Sequence, residues 1–512
     1  MTIFAKSMLK HYTMNKLSGL MTGLLLMVTG MATAGNPVKS VTVNPNTARA
    51  VFAYDMYQLL GDTRITLNFM LSGDADDVNI ILTGIYNAPS EHVIPMGALK
   101  AGKNSVSFPR NTYGAGSVYI WTVEAFSPAI KKAERCFVSD RGAVNTRGGV
   151  AFVDSPDSPY YGKVIVSNGS SGGIEIYSQN LERQGSYHVG KFDSGLVSSP
   201  NRIAEDDGIV FLSDLSEKGM GIRTFVPENP DMLGTFFCGT SDGKGGIQYD
   251  GVYIGGKGSC VSFCGEGESR FMLACNYDVD GKTNLVSRYN IGTANSWSKP
   301  ADVTYPNISS NLLTNNVEII ALENGFFVSQ VRRGSQNVSS PAFMYCDYND
   351  RILYNSGKNT KDIASCGTGM AISDDLSVFA LSQYKKGITI FDVSWKGNVP
   401  SFTYKYVLPE TKGEISQMDF DVAGNLHIYS MANGYEVFVL PNEKPRSLSR
   451  AGGRYKIKGT ETGVENIRVE NAVENSVVEY YNLQGLKVNP ENLGRGIYIK
   501  VRGEKSEKVV VK

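Results

Sequence analysis

Residues 203–214 read IAEDDGIVFLSD, and this pattern decides the fold of the central part of the chain. An apolar strand leads into an acidic turn with glycine, and a second apolar strand ends at a serine. The unit returns as IIALENGFFVS at 319–329, MAISDDLSVFALS at 370–382 and MDFDVAGNLHIYS at 418–430. A repeat of roughly 40–50 residues in strand-rich sequence is typical of β-propeller blades.

Third strands of the repeat alternate and begin at glycine; they read GIEIY at 173–177, GIRTF at 221–225, GITIF at 387–391 and GYEVF at 434–438. The repeats predict six blades between residues 141 and 446, with units near Gly149, Arg202, Gln248, Glu318, Met370 and Gln417. A seventh blade results if the stretch Ile291–Leu313 hides one. The acidic turns need no catalytic role, because Asp and Asn accept backbone hydrogen bonds in turns and Gly takes positive φ.

These units resemble the broad NHL and YVTN-like propeller group, which implies an architecture rather than one activity. The resemblance to the six-bladed lactonase-type enzymes, which hold a central metal with acidic and amide residues, is one of architecture only. Asn201, Asn316 and Glu318 lie near the starts of inner strands, but a full ligand set is not found. We therefore predict no catalytic residue, no metal and no cofactor.

The N-terminal part predicts a separate β-sandwich, because alternating strands are broken by frequent turns. LKAGKNSV at 99–106 and GAGSVY at 114–119 resemble two strands of the small immunoglobulin-like domains of flagellar-hook-cap type. In those modules the domain is a spacer or a support for binding.

The chain ends predict export. An apolar run at Leu20–Val28 precedes the small-residue site Ala32–Thr33–Ala34, which is the layout of a signal peptide. The apolar run is shorter than the ~20 residues of a membrane-spanning helix. At the other end, VVEYYNLQGLKV at 477–488 and GRGIYIKVRGEKSEKVVVK at 494–512 resemble the C-terminal sorting modules of Bacteroidetes proteins associated with type IX secretion. The resemblance implies a secreted or surface-exposed protein that contacts the secretion machinery through this module.

The predicted organisation is therefore all-β, with five segments. These are a signal peptide (1–34), an immunoglobulin-like domain (35–140), a six-bladed propeller (141–446), a Gly-, Ser- and Lys-rich linker (447–464) and a C-terminal sorting module of small β-sandwich type (465–512).

Composition narrows the chemistry. Lys plus Arg and Asp plus Glu both number 50, so the basic footprint of a nucleic-acid-binding protein is missing. The seven cysteines include several within apolar strands, which favours buried thiols over a disulfide framework. A Ser–His–Asp mechanism is disfavoured, because His92, His188 and His427 are far apart in the predicted fold. Residues 278–284, DVDGKTN, begin like a calcium loop but lack its closing acidic residue, so we interpret them as a hairpin turn.

The candidate ligand site comprises polar residues at the starts of inner strands: Asn201, Arg202, Gln248, Glu318 and Gln417. A funnel lined by them would suit a glycan or a peptide, and the alternative is that they only solvate a water-filled channel. We predict a secreted or surface protein that binds an extracellular glycan or protein without catalysis. The alternatives are a propeller hydrolase or lyase acting on polysaccharide, whose carboxylate pair would come from different blades, and a structural component of the cell surface.

Overall fold

The computed structural model describes residues 49–86, 91–113, 118–140, 147–168, 173–187, 202–214, 221–226, 234–238, 240–241, 247–249, 252–253, 258–279, 282–293, 301–313, 317–330, 341–357, 369–383, 387–408, 414–452, 457–458, 478–481, 487–488, 496–502 and 505–511. These residues form an all-β protein of antiparallel sheets, as predicted. Within them, no helix is long and apolar enough to cross a membrane.

A two-sheet sandwich contains the first six strands: β1 (Ala53–Leu60), β2 (Arg64–Leu71), β3 (Ala75–Tyr86), β4 (His92–Leu99), β5 (Gly102–Pro109) and β6 (Val118–Phe126). One sheet has the order β1-β2-β5, and the other contains β6-β3-β4. Leu67, Ile80 and Trp121 are fully buried in the core between the sheets. The alternating pattern of the sequence thus marks which side chains face the core.

The strand β7 (Glu134–Val138) precedes the repeats. Blades 1 and 2 consist of β8 (Gly148–Phe152), β9 (Val164–Asn168), β10 (Gly173–Tyr177) and β11 (Arg183–Tyr187), then β12 (Ile203–Asp206), β13 (Ile209–Asp214), β14 (Gly221–Phe225) and β15 (Gly234–Cys238). A small sheet follows, with β16 (Thr240–Ser241), β17 (Ile247–Tyr249) and β18 (Val252–Tyr253).

Blades 3 and 4 consist of β19 (Gly258–Cys264), β20 (Phe271–Val279), β21 (Lys282–Asn290) and β22 (Val303–Thr304), then β23 (Val317–Leu322), β24 (Gly325–Gln330), β25 (Phe343–Cys346) and β26 (Ile352–Asn355). A 3-10 helix (Gly267–Ser269) lies between β19 and β20, and the short helix α1 (Pro306–Ser309) follows β22. Blades 5 and 6 consist of β27 (Met370–Ile372), β28 (Val378–Gln383), β29 (Gly387–Lys396) and β30 (Val399–Leu408), then β31 (Ile415–Phe420), β32 (Leu426–Ser430) and β33 (Gly434–Val439).

Apolar clusters join each blade to the next around a ring. The pairs that share a cluster across successive blades are Ile165 and Ile203, Phe211 and Met272, Leu273 and Ile319, Phe327 and Phe379, Ile390 and Ile428, and Tyr435 and Phe152. The last pair returns to blade 1. The described residues therefore close a ring of six blades, in which β8, β12, β19, β23, β27 and β31 are the first strands of their sheets.

One detail of the predicted repeat is wrong. The unit placed near Gln248 is not a blade, because Gln248 lies in β17 of the small sheet, and blade 3 begins at β19. This strand reads GSCVSFC and leads into the 3-10 helix instead of a tight acidic turn, so the repeat pattern is lost there. In the stretch Ile291–Leu313, the described residues form the outer strand β22 and helix α1, so no seventh blade is seen in the described part.

The ring is closed by β7, which pairs with β33 as the outer strand of blade 6. Residues 134–138 therefore belong to the propeller and not to the N-terminal domain, in contrast to the predicted boundary at residue 140. Arg135 Nη1 donates to Glu436 Oε2 at 2.9 Å, and Glu436 is fully buried. A sequence repeat cannot reveal this closure, because the strand that completes the blade comes from the opposite end of the repeat region.

The predicted linker at 447–464 is wrong in its first part. The strand β34 (Arg446–Arg450) pairs with β6, and β35 (Ile457–Lys458) pairs further along the same strand, so both extend the sandwich. Ser449 Oγ accepts the backbone N–H of Ala53 at 3.0 Å. The two buried residues of β34 are serines, so polar composition concealed a strand with alternating burial. The propeller is thus inserted into the sandwich domain.

The C-terminal segment contains β36 (Val478–Tyr481), β37 (Lys487–Val488), β38 (Gly496–Arg502) and β39 (Lys505–Val511). They form one antiparallel sheet with the order β37-β36-β38-β39. The strands lie in the segments that the sequence predicts for this module, but the described ones form a single sheet rather than a small sandwich.

Candidate functional site

One position on the second strand of every blade is a buried serine or cysteine: Ser167, Ser213, Cys275, Ser329, Ser382 and Ser430. The inner-strand residues that pair with these positions are Gly149, Arg202, Cys260, Glu318, Gly369 and Ile415. In blades 1 and 2, the serine hydroxyl accepts the backbone N–H of its inner-strand partner, at 2.6 Å for Gly149 and 2.9 Å for Arg202. The repeated serine therefore has a structural role.

Arg202 and Glu318 lie at the leading end of the propeller's central axis, which we define as the end where the inner strands begin. Their exposed fractions are 2% and 3%. Arg202 Nη2 donates to the carbonyl of Ser416 in blade 6 at 3.3 Å, and Glu318 Oε2 accepts the backbone N–H of Met370 in blade 5 at 3.1 Å. Burial raises the pKa of Glu318 to about 8, although the Arg202 cation opposes the rise. Both side chains connect blades across the ring.

Gln417 has the same role and is half-buried. Its Oε1 accepts the backbone N–H groups of Val150 at 3.2 Å and Ile203 at 3.1 Å, and its Nε2 donates to the carbonyl of Ile203 at 2.9 Å. One amide thus joins blade 6 to blades 1 and 2.

These contacts differ from the expected open funnel lined by polar side chains. Arg202 and Glu318 are buried, and together with Gln417 they bond to backbone groups of other blades. Asn201 lies outside the described residues, as does the side chain of Gln248. Sequence reasoning identified polar inner-strand residues correctly, but the structure gives the described ones contacts that hold the ring together.

A different group lies at the trailing end of the central axis, where the inner strands end. Asp374, Asp419 and Asp154 come from blades 5, 6 and 1, which are consecutive in the ring. Asp154 and Asp374 are exposed and Asp419 is half-buried. Asp419 Oδ2 also accepts the backbone N–H of Phe152 at 2.8 Å, which fixes its position.

These carboxyls influence one another. Burial among protein atoms raises the pKa of Asp374 to about 7, and the charge of Asp154 adds to the rise. Burial also raises the pKa of Asp419 well above its usual range, with further contributions from Asp154 and Asp374. The three carboxyls are therefore near enough to interact electrostatically, and each lies at or just after the end of an inner strand.

Tyr161, in the loop between β8 and β9 of blade 1, packs against the core of the sandwich. Burial raises its pKa, and the charges of Asp154 and Asp374 add to the rise. The backbone N–H of Ala50 donates to Asn425 Oδ1 at 3.1 Å, and Asn425 Nδ2 donates to the carbonyl of Ala50 at 3.0 Å. The sandwich is thus attached at the trailing end of the propeller.

Blade 2 contributes two further acidic groups at this end. Glu205 Oε1 accepts the hydroxyl of Ser158 at 2.7 Å and the N–H of Gly208 at 2.6 Å, while burial raises its pKa to about 8. Asp206 accepts Arg270 Nε at 2.6 Å. The turn confirms the structural interpretation of the acidic repeat, since Gly208 has φ of 79°.

Sequence reasoning missed Asp154, Asp374 and Asp419 as a group. Each follows or ends an inner strand, and the acidic residue after MAIS at 370–373 was the available signal. Within the described residues, no group of three or more His, Cys, Asp or Glu is arranged to hold a metal ion. The arrangement can accept hydrogen bonds or bind a positively charged group.

The other chemical candidates are structural. His427 is buried, with Nδ1 at 2.8 Å from the Tyr435 hydroxyl and Nε2 at 3.3 Å from Asp421 Oδ2. His188 and the centre of the DVDGKTN turn are outside the described residues, but Val279 pairs with Lys282, as in the predicted hairpin. Of the five cysteines with described side chains, four are buried, as predicted.

The fold and channel define a six-bladed propeller inserted in a β-sandwich. No protein family matches the chain, and no curated protein matches it in sequence. Solved structures that align with it include a structural genomics protein of unknown function from Bacteroides thetaiotaomicron VPI-5482, with 13% identity, 78% of this chain and 99% of that chain covered, and a TM-score of 0.39.

A glucose dehydrogenase aligns at 9% identity, over 60% of this chain and 98% of its own, with a TM-score of 0.39. A chain of the mitotic checkpoint complex aligns at 11% identity, over 80% of this chain and 96% of its own, with a TM-score of 0.36. Likeness at this level says nothing about a shared activity. The fold assignment rests on the sheet topology.

Proposed function

We propose that this protein acts outside the cytoplasm as a non-catalytic binding protein, and that its ligand contacts Asp154, Asp374 and Asp419. The observation that carries the proposal is the position of these three carboxyls at the trailing ends of inner strands in three consecutive blades, with two of them exposed. Arg202, Glu318 and Gln417 support the site indirectly, because their bonds between blades fix the positions of the inner strands.

A glycan suits this site best. Carboxylates accept hydrogen bonds from sugar hydroxyls, and a carboxyl with a pKa of about 7 also donates one when it is protonated. The second candidate ligand is a basic segment of a protein, because Lys and Arg form charge-assisted hydrogen bonds with carboxylates. In both cases Tyr161 of blade 1, which packs against the sandwich core, would border the bound ligand.

The two chain ends support delivery to the cell exterior. The signal-peptide pattern at 1–34 and the resemblance of 465–512 to type IX sorting modules motivate this part of the proposal. The antiparallel strands β36–β39 are compatible with such a module. We propose that the module contacts the secretion machinery while the propeller and sandwich form the delivered cargo.

A polysaccharide hydrolase or lyase is the second candidate, and one observation favours it. Asp374, with a pKa of about 7, is close enough to Asp154 and Asp419 for their charges to interact. Glycoside cleavage requires one carboxyl as an acid and another as a base or nucleophile, and two of these three carboxyls would take those roles. A purely structural role at the cell surface is the third candidate and predicts no ligand at this site.

A binding and turnover experiment separates these candidates. Full-length protein should be screened on an array of polysaccharides and basic peptides, and any bound ligand measured by calorimetry. Asp374→Asn and Asp154→Asn should weaken binding about tenfold or more, because each removes a charge-assisted contact. Asp392→Asn is the matched control, since Asp392 is an exposed carboxylate of blade 5 that is bonded to Lys405.

The outcomes are distinct. Binding without release of reducing ends or unsaturated products supports the binding protein. Turnover that Asp374→Asn abolishes would establish the enzyme instead. Unchanged affinity in both carboxylate variants would show that the ligand does not bind at this site. If no ligand is found at all, the structural role is supported.

A further inference from the structure

Blade 3 differs from the other blades at one pair of equivalent positions. The other five blades have a buried serine on the second strand, whereas blade 3 has Cys275. The inner-strand residue opposite Cys275 is Cys260, so both members of this cross-strand pair are cysteines. The exposed fraction is 2% for Cys260 and 0% for Cys275.

The register brings the two side chains together. Directly opposite residues in antiparallel strands have Cα atoms about 4.5–5.5 Å apart and project from the same side of the sheet. A disulfide requires Cα atoms about 4.4–6.8 Å apart, so bridging this pair needs no change of register. Cys260 and Cys275 belong to the same apolar cluster between blades 3 and 4, which is consistent with this placement.

The serines of blades 1 and 2 support the same geometry. Ser167 Oγ lies 2.6 Å from the backbone N of Gly149, and Ser213 Oγ lies 2.9 Å from that of Arg202. A side chain at this position therefore leans toward the opposite inner-strand residue. In blade 3 that residue carries a second thiol.

We propose that Cys260 and Cys275 form a cross-strand disulfide when the chain folds in an oxidising compartment. One thiolate attacks the disulfide of an oxidant, a dithiol–disulfide oxidoreductase or a small disulfide, and forms a mixed disulfide with it. The other thiolate then displaces the oxidant's sulfur. Cys260 and Cys275 lose two protons and two electrons, and the oxidant's disulfide is reduced to two thiols.

The other cysteines of this region are placed differently. Cys264 pairs with Phe271 across β19 and β20, and Cys346 pairs with Phe326 across β24 and β25. Neither has a cysteine opposite it. The bridge is therefore specific to one pair, and the burial of that pair means that oxidation accompanies folding rather than following it.

The disulfide would tie the inner strand of blade 3 to its second strand. Closing a loop of about 15 residues restricts the unfolded chain, so the oxidised protein should melt roughly 5 °C above the reduced protein. This effect depends only on the fold. It is independent of the proposed ligand site, and the chemistry can be tested without assuming that the protein is exported.

The test uses full-length protein that is reduced in denaturant and refolded in mixtures of reduced and oxidised glutathione. Remaining thiols are alkylated in denaturant, and peptides are mapped by mass spectrometry before and after reduction. We expect a linked peptide pair containing residues 260 and 275. It should be lost in Cys260→Ser and Cys275→Ser and kept in the control Cys264→Ser.

Protein isolated from the periplasm of an expression host provides a second sample that needs no refolding. Alkylation of both Cys260 and Cys275 in both samples would overturn the proposal, as would a bridge from either residue to a different cysteine. A bridge found in either sample with the expected pairing supports it.

Discussion

Gln417 of blade 6 forms hydrogen bonds with both backbone groups of Ile203 in blade 2. Its Oε1 accepts the Ile203 N–H at 3.1 Å, and its Nε2 donates to the Ile203 carbonyl at 2.9 Å. The two residues belong to blades that are not neighbours, since blade 1 lies between them. The same Oε1 also accepts the N–H of Val150 in that intervening blade. A single side chain thus ties three inner strands together near the closure of the ring.

Gln417→Met should destabilise the protein by about 2–4 kcal/mol, because it keeps the shape of the side chain but leaves three backbone groups without their partners. Chemical denaturation followed by circular dichroism measures the change. Ser394→Ala, at an exposed position of β29, is the control and should stay within about 0.5 kcal/mol of wild type. A variant as stable as wild type would show that water replaces the glutamine.

Removing β7 should open the propeller. A chain of residues 128–445 should unfold in one cooperative transition, because blades bury their faces only against neighbours. A chain of residues 141–445 lacks Arg135 and leaves the buried Glu436 without its cation, which costs about 3–5 kcal/mol. Calorimetry of the two chains decides the matter, and equal melting temperatures would contradict the role of β7.

The strand after the propeller should be required by the sandwich. A chain of residues 35–445 lacks β34, so Ala53 loses the Ser449 hydroxyl and Glu124 loses Arg446. The fully buried Trp121 then becomes solvated, and its fluorescence should shift to longer wavelength. A chain of residues 35–459 should retain the emission of the intact protein. Identical spectra from both chains would mean that β34 is dispensable.

Stability should decrease as the pH rises from about 5 to 9. Burial raises the pKa of Glu205 and Glu318 to about 8 and that of Asp374 to about 7. A raised pKa means that the folded state binds protons more tightly than the unfolded state, so its stabilisation is complete below the unfolded pKa and is lost as the pH rises through the folded pKa. We expect melting temperatures to fall across this range.

Glu205→Gln should reduce the loss of unfolding free energy at pH 9 by about 1–2 kcal/mol. The amide oxygen of the glutamine still accepts the Gly208 N–H but carries no buried charge. Glu91→Gln, at an exposed position, serves as the control. If the variant and wild type lose stability in parallel, Glu205 does not titrate in this range.

Deleting residues 465–512 should leave the propeller and sandwich folded but hold the protein in the periplasm of its source cell. The reason is that β36–β39 form a sheet of their own, while β34 and β35 remain in the shortened chain. Surface labelling and cell fractionation measure the location. Normal surface display of the shortened protein would rule out the sorting role of this segment.

Local pattern predicted much of the fold. The turn IAEDDG and the serine at 213 predict the first two strands of a blade, because turn chemistry and alternating burial depend on neighbouring residues. Blade 3 escaped detection, because β19 leads into a 3-10 helix instead of a tight acidic turn and Cys275 replaces the usual serine. The strand β34 escaped because its buried residues are serines.

The sequence by itself predicted the all-β class, a propeller of six or seven blades and the polar character of Arg202, Glu318 and Gln417. Only the tertiary structure decided that these residues bridge blades, that β7 closes the ring, and that Asp154, Asp374 and Asp419 lie at the same end of three consecutive blades. The physical reason is that strand periodicity is local, whereas a circular arrangement joins residues far apart in the chain, and their contacts depend on how six sheets pack around one axis.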